Sequence, residues 1–174
     1  MSVEAEPYAT ESAGGSAHGV SAGGSAHAVE LRIPARTEFL AVARMVVVAA
    51  AALDPSFTEE RLDNLRLAVS EACTNAIEAH ATVGSHDQVR VRCDRDGGRI
   101  EVEVEDHGHG FDPSDLVALP EPDDPERLDF ESGLGIMLMR SLTDRTEIES
   151  SPEGTLVRLV MYGIPGLDAA GNTT

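Results

Sequence analysis

Residues 99–112 read RIEVEVEDHGHGFD, an alternating run of apolar and charged residues that passes directly into two histidines and two glycines. Period-two alternation turns one face of a strand toward a core and the other toward water. QVRVRCD at 88–94 alternates in the same way, and the RDGG that joins the two segments is a turn signal. The two segments therefore predict an antiparallel hairpin with one polar face.

The polar end of this hairpin allows two interpretations. His107 and His109 alternate as metal ligands do, which would make EDHGHGFD a metal site. Alternatively, the glycines form a hinge beside a nucleotide, and the histidines are incidental. A zinc site needs further ligands, and Cys73 and Cys93, the only cysteines, form no four-ligand pattern with them. The sequence therefore favours the glycine hinge.

Length and charge narrow the class of protein. The 174 residues suit one domain, and the apolar content of 41% is enough for a core. The net charge of −18 argues against nucleic acid as a partner, since phosphate binding needs a basic face. All 13 basic residues are arginines. A Walker A loop and a eukaryotic-type protein kinase both need a lysine, so both classes are excluded.

The longest apolar stretch is FLAVARMVVVAAAAL at 39–53, which contains Arg44. It is shorter than the roughly 20 residues that span a bilayer. No basic residue precedes Arg32, so the N-terminus does not resemble a secretory signal, and a cytoplasmic protein without membrane contact is expected. The stretch predicts a helix that is apolar nearly all round. Such a helix is either deeply buried or a surface for a partner.

The chain divides into a folded unit and two tails. Residues 12–20 and 21–29 repeat a nine-residue Gly, Ser and Ala-rich unit that has too little apolar surface to fold. We therefore expect a disordered tail over 1–28, a single domain over 29–164 and a flexible tail over 165–174.

Periodicity and turn signals predict the order βα-α-ββ-loop-α-ββ. This order indicates an α+β fold, a two-layer sandwich in which helices cover one face of a mostly antiparallel sheet. Besides the hairpin, the predicted elements are a strand over 29–35, helices over 37–53, 58–80 and 133–144, a proline-rich acidic loop over 112–132, and strands over 146–151 and 155–162.

The second helix carries SEACTNAIEAH at 70–80. Glu71 and Asn75 are four residues apart, so both project from one face, which is either a solvated surface or the wall of a site. SGLGI at 132–136 lies where the third helix begins, where backbone N–H groups and the helix dipole favour an anion. EGT at 153–155 opens the last strand.

These motifs, E-A-C-T-N, D-x-G-x-G-F, G-L-G-I and G-T, resemble the four sequence boxes of the Bergerat-fold ATPases, also called GHKL or histidine-kinase-like ATPases. The chain is most similar to the bacterial anti-sigma factor serine/threonine kinases that control sporulation and general stress. The resemblance covers about residues 29–162 and implies ATP and Mg²⁺ as cofactors.

The resemblance also implies roles for individual residues. Asn75 would hold Mg²⁺, and Glu71 would be the general base that acts on a protein Ser or Thr hydroxyl. Asp106 would accept a hydrogen bond from the exocyclic amine of adenine. Gly108 and Gly110 would let the backbone pass closely under the base and hinge a lid.

The remaining implied nucleotide contacts lie later in the chain. The segment 112–132 would be the lid, Gly133 and Gly135 would cradle the phosphates, and Thr155 would support the adenine side. Leu134 and Ile136 belong to the same phosphate-binding box.

One position departs from the family. Its members often carry a histidine four residues after the box asparagine, where this chain has Ala79 followed by His80. A role for that histidine therefore does not transfer directly.

The resemblance implies an ATP-dependent anti-sigma factor. It would sequester a sigma factor, phosphorylate an antagonist (anti-anti-sigma) protein on Ser or Thr, and form a homodimer. The alternative is a non-enzymatic module in which ATP only shapes a protein-binding surface. A detached histidine-kinase catalytic domain is less favoured, because the chain lacks room for a histidine-bearing helical hairpin.

Overall fold

The computed structural model describes residues 28–83, 88–110 and 131–164. The elements in chain order are β1 (Ala28–Pro34), a 3₁₀ turn (Thr37–Phe39), α1 (Leu40–Ala51), α2 (Glu59–Val83), β2 (Gln88–Asp96), β3 (Arg99–Asp106), α3 (Glu131–Leu142), β4 (Arg145–Ser151) and β5 (Gly154–Tyr162).

The five strands form one antiparallel sheet in the order β1-β2-β3-β5-β4. The helices pack on one face, so the predicted α+β sandwich is confirmed. The predicted hairpin is β2–β3, in which Asp96 pairs with Arg99. Gly97 and Gly98 between them have positive φ angles of 48° and 77°, as a type I′ turn requires.

Alternate residues of the central strands point into the core. In β3, Ile100, Val102 and Val104 are buried, while the glutamates between them are half-buried on the opposite face. That opposite face carries ion pairs between neighbouring strands. The Arg158 guanidinium of β5 contacts Glu103 of β3 at 3.1 Å and Glu147 of β4 at 3.0 Å. Cross-strand pairs of this kind contribute roughly 0.2–1 kcal/mol each.

The first helix is buried on one face and exposed on the other. Its inner face, Ala43, Val47 and Ala51, is fully buried, whereas Val42 and Met45 are exposed. The helix is also shorter than predicted, because a 3₁₀ turn precedes it and Ala51 ends it. Apolar periodicity continues through the predicted segment and therefore does not mark these boundaries.

The other helices also differ from prediction at their ends. Thr58 caps α2, since its Oγ1 accepts a hydrogen bond from Arg61 N at 3.3 Å. The helix then continues to Val83, three residues beyond the predicted end. The third helix begins at Glu131 instead of residue 133, so the glycines of SGLGI lie inside its first two turns.

Parts of the predicted organisation fall outside the described residues. Residues 1–27 and 165–174 lie outside them. The acidic loop over 112–132 also lies outside them, apart from its last two residues, which belong to α3. The first strand begins at Ala28, at the predicted edge of the domain. Within the described ranges, no helix is long and apolar enough to cross a membrane.

Two methionines of α3 provide a matched test of how this helix is held. Met139 is fully buried, whereas Met137, two residues earlier, is 47% exposed. We expect Met139→Ala to lower the free energy of unfolding by about 2–5 kcal/mol through a cavity. Met137→Ala should change it by less than about 0.5 kcal/mol. Urea unfolding of both variants measures the difference, and equal losses would contradict this packing of α3.

Candidate functional site

The candidate site begins where two paired strands end in polar residues. The inward row of β3 runs through three buried apolar residues and reaches Asp106, which is 5% exposed. Asp106 pairs across the sheet with Thr155, the first inward residue of β5, which is 7% exposed. At this end of the sheet, the apolar layer between sheet and helices is therefore followed by a buried carboxylate and a buried hydroxyl.

The Asp106 carboxylate is held by its own turn. Its Oδ1 accepts a hydrogen bond from Gly108 N at 2.9 Å. Burial raises the pKa of Asp106, while the hydrogen bond from Gly108 N acts in the opposite direction. An acceptor in such a low-dielectric position makes strong hydrogen bonds with a ligand donor.

Both glycines of the turn 108–110 make approaches that no side chain allows. A Cβ on Gly108 would lie 2.6 Å from the carbonyl carbon of Ala79 in α2. A Cβ on Gly110 would overlap the carbonyl oxygen of Ser151 at the end of β4. The turn is therefore packed between α2 and the β4–β5 connection.

One face of α2 forms the next wall of the site. Glu71, Asn75 and Ala79 follow each other at intervals of four residues, and all three are half-buried. Gly135 of α3 lies against this face. A Cβ there would stand 2.9 Å from Glu71 Oε2 and 3.5 Å from Asn75 Oδ1. The structure therefore brings Glu71, Asn75 and Gly135 together.

The four residues of the predicted phosphate-binding box occupy different positions in α3. Gly133 and Leu134 are the third and fourth residues of α3. The N–H group of Gly133 precedes the first hydrogen bond between residues four apart and has no acceptor within the helix. Gly135 and Ile136 follow them. Gly135 leaves space for the Glu71 carboxylate, and the Ile136 side chain is buried in the core.

Sequence reasoning assigned no role to three residues around Asp106. Gly154 has a φ of 141°, and a Cβ there would overlap the Asp106 carbonyl oxygen. Ser150 lies across from Thr155, with 3.1 Å between the two hydroxyl oxygens. His80 is 1% exposed, and its Nε2 accepts a hydrogen bond from His107 N at 3.5 Å. The signal for Gly154 was present in EGT, but the contacts of Ser150 and His80 depend on the register and on helix packing.

The side chains of His107 and His109 are exposed. In the described part of the chain, no group of three or more His, Cys, Asp and Glu side chains is arranged to hold a metal ion.

Comparison with known proteins defines the class. The family model of the histidine kinase-like ATPase domain matches residues 33–161, so the chain belongs to this family. Membership implies the use of ATP.

Individual relatives narrow the assignment. The serine-protein kinase RsbW of Bacillus velezensis is 32% identical over 138 residues, covering 77% of this chain and 84% of that protein. An anti-sigma F factor of Thermoanaerobacter sp. strain X514 is 36% identical over 137 residues, covering 77% of this chain and 92% of that protein. The resemblance to the anti-sigma serine kinases is therefore confirmed.

A solved structure agrees in fold. The crystal structure of the RsbU and RsbW domains of Rv1364c from Mycobacterium tuberculosis matches 78% of this chain with a TM-score of 0.58 at 15% identity. The matched part is 32% of that longer chain.

Two glycines of the site should respond differently to the same substitution. In Gly108→Ala the new methyl group meets the Ala79 backbone, so we expect a loss of about 1–3 kcal/mol in the free energy of unfolding. In Gly135→Ala it meets the end of the flexible Glu71 side chain, and alanine favours a helix by roughly 0.5–1 kcal/mol. Urea unfolding should therefore show Gly135→Ala as stable as the wild type or more so. A comparable loss in both variants would contradict these contacts.

The Asp106 carboxyl should make stability depend on pH. Because its folded pKa is raised above the ordinary value of 3.8, the folded protein binds this proton more tightly than the unfolded chain does. This group's contribution to stability is therefore greatest below the unfolded pKa and falls as the pH rises through the folded pKa. Without nucleotide, Asp106→Asn should gain stability relative to the wild type as the pH rises from about 3.5 to 7. Urea unfolding at several pH values tests this, and a difference independent of pH would contradict it.

Proposed function

We propose that the chain is an ATP-dependent anti-sigma factor that sequesters a sigma factor and phosphorylates an antagonist protein on Ser or Thr. The observation that carries this proposal is the single face of α2 that links two sets of groups. Glu71 and Asn75 meet Gly135 at one end, and Ala79 meets Gly108 beside Asp106 at the other. The eight steps along the helix from Glu71 to Ala79 span about 12 Å at 1.5 Å per residue. This length suits a base, a ribose and a phosphate chain.

Adenine recognition is assigned to the Asp106 end. The buried carboxylate accepts a hydrogen bond from the exocyclic amine of the base. Gly108 and Gly110 let the turn after this carboxylate pack closely against α2 and the end of β4, and Thr155 supports Asp106 from the neighbouring strand. A site built around a buried acceptor discriminates against bases that lack the matching donor, because the acceptor is then left unpaired.

The phosphates and the metal ion are assigned to the other end. The Asn75 amide provides an oxygen ligand that suits Mg²⁺, and Asn75 would hold the ion. When bound, the ion neutralises charge on the phosphates. Gly133 offers a free N–H group at the start of α3, where the helix dipole favours an anion, and Leu134 follows it in the same turn.

Glu71 is the proposed catalytic base. Its carboxylate lies beside Gly135 at the phosphate end of the site. There it accepts the proton of the Ser or Thr hydroxyl of the antagonist as that oxygen attacks the γ-phosphorus, the bond to the β–γ bridging oxygen breaks and ADP leaves. Phosphoryl transfer depends mainly on positioning and electrostatics, and a general base adds about 10²–10⁴-fold.

The sigma factor is assigned to the outer face of α1. Val42 and Met45 of this helix are exposed, and so is Leu53 in the turn that follows it. An apolar patch of this kind is typical of protein interaction sites. The homodimer is inferred from the family resemblance, and a cytoplasmic location from the sigma factor as partner. The B. velezensis relative is named a serine-protein kinase and the Thermoanaerobacter relative an anti-sigma factor.

Substitution of Glu71 separates catalysis from binding. We expect Glu71→Ala to slow phosphotransfer from ATP to the antagonist by about 10²–10⁴-fold. ADP with Mg²⁺ at about 100 times its dissociation constant should still stabilise the variant by roughly 2.7 kcal/mol, a rise of about 5–10 °C in melting temperature. Glu78→Ala, an exposed glutamate of the same helix, is the matched control and should keep both properties.

The outcomes distinguish the hypotheses. Nucleotide binding without phosphotransfer in the wild type would favour the non-enzymatic module. A thermal shift with Zn²⁺ but none with nucleotide would overturn the proposal and support a metal site at His107 and His109.

A further inference from the structure

We propose that His80 is a positioning residue. It holds the turn 106–108 in the conformation in which the Asp106 carboxylate binds adenine. This inference rests on the proposed nucleotide site, and it assigns a role to a histidine one position away from the one usual in the family. The proposal is carried by the burial of the ring, by its contact with the turn and by its place on α2.

His80 is buried at a cost. Its side chain is 1% exposed, and Nδ1 has no partner among the described residues. Because Nε2 accepts a hydrogen bond from His107 N, a neutral ring carries its proton on Nδ1. An unpaired buried donor is unfavourable, and leucine would fill a similar volume without it. The contact with the turn gives a physical reason for an imidazole at this position.

Two acceptors hold adjacent backbone groups of the turn. The His80 ring accepts from His107 N at 3.5 Å, and Asp106 Oδ1 accepts from Gly108 N at 2.9 Å. The first contact is longer than an ordinary hydrogen bond and therefore contributes modestly. Together the two contacts fix the peptide that follows Asp106, and with it the direction of the carboxylate.

The same part of α2 supports the turn through packing. Gly108 lies against the Ala79 backbone, so the turn packs directly on residues 79 and 80 of α2. Glu71 and Asn75 lie on the same helix, nine and five residues before His80. The helix is rigid and carries both sets of groups. It therefore sets the distance from the turn 106–108 to Glu71 and Asn75.

Nucleotide discrimination tests this role. We would measure dissociation constants of ADP and IDP with Mg²⁺ by calorimetry, since inosine lacks the exocyclic amine. His80→Leu should weaken ADP binding by about three- to tenfold and leave IDP nearly unchanged, so that the ADP preference falls. His80→Gln should restore the preference, because its amide oxygen can accept from His107 N. His109→Ala, which removes an exposed neighbouring imidazole, is the control.

Hydrogen exchange of the His107 amide tests the contact without nucleotide. We expect this amide to be protected in the wild type, to exchange faster in His80→Leu, and to be protected again in His80→Gln. An unprotected His107 amide in the wild type would overturn the inference, and this measurement remains decisive if His80→Leu does not fold.

The remaining outcomes are also distinct. If the wild type binds ADP no better than IDP, the proposed adenine site fails, and the inference fails with it. If the wild type prefers ADP and His80→Leu retains that preference, the inference alone is overturned. Equal weakening of ADP and IDP that His80→Gln does not restore would show a purely structural role and would also overturn it.

Discussion

The contact between the Gly108 and Ala79 backbones is the constraint on which the rest of the site depends. The end of β3 packs against α2 at a distance that only glycine allows. This packing determines how deeply Asp106 is buried and brings the turn to His80. It also sets the separation between Asp106 and Glu71. A bulkier residue at 108 would move the turn and α2 apart, and the two halves of the site would lose their relative position.

The site concentrates features that oppose stability. Asp106 is a carboxylate in the inward row of a strand, His80 is an imidazole without a partner for Nδ1 among the described residues, and Gly154 adopts a φ open mainly to glycine. Each raises the free energy of the folded chain. The buried apolar layer of β2, β3, β5 and the helices offsets these costs. Such a distribution is expected when binding, and not stability, determines the residues at one end of a sheet.

Much of the architecture was predictable because it depends on local periodicity. Alternation in β2 and β3 placed the hairpin and its polar face, and the same alternation puts Asp106 on the inward side. Helix ends were less predictable. Apolar residues continue past Ala51, where the first helix ends. The glycines of SGLGI predicted a helix start at residue 133, whereas the helix begins two residues earlier, at Glu131. Hydrogen bonds and caps decide such boundaries, and periodicity does not record them.

The sequence by itself determined the fold class and the family and predicted the principal site residues, because period-two and helical patterns and the spacing of motifs are local properties. Only the tertiary structure decided which of these residues meet. Gly135 faces Glu71 and Asn75, Thr155 pairs with Asp106 through strand register, and His80 reaches the turn through helix packing. These contacts join residues distant in the chain, and their geometry depends on how the helices pack on the sheet, which no local pattern encodes.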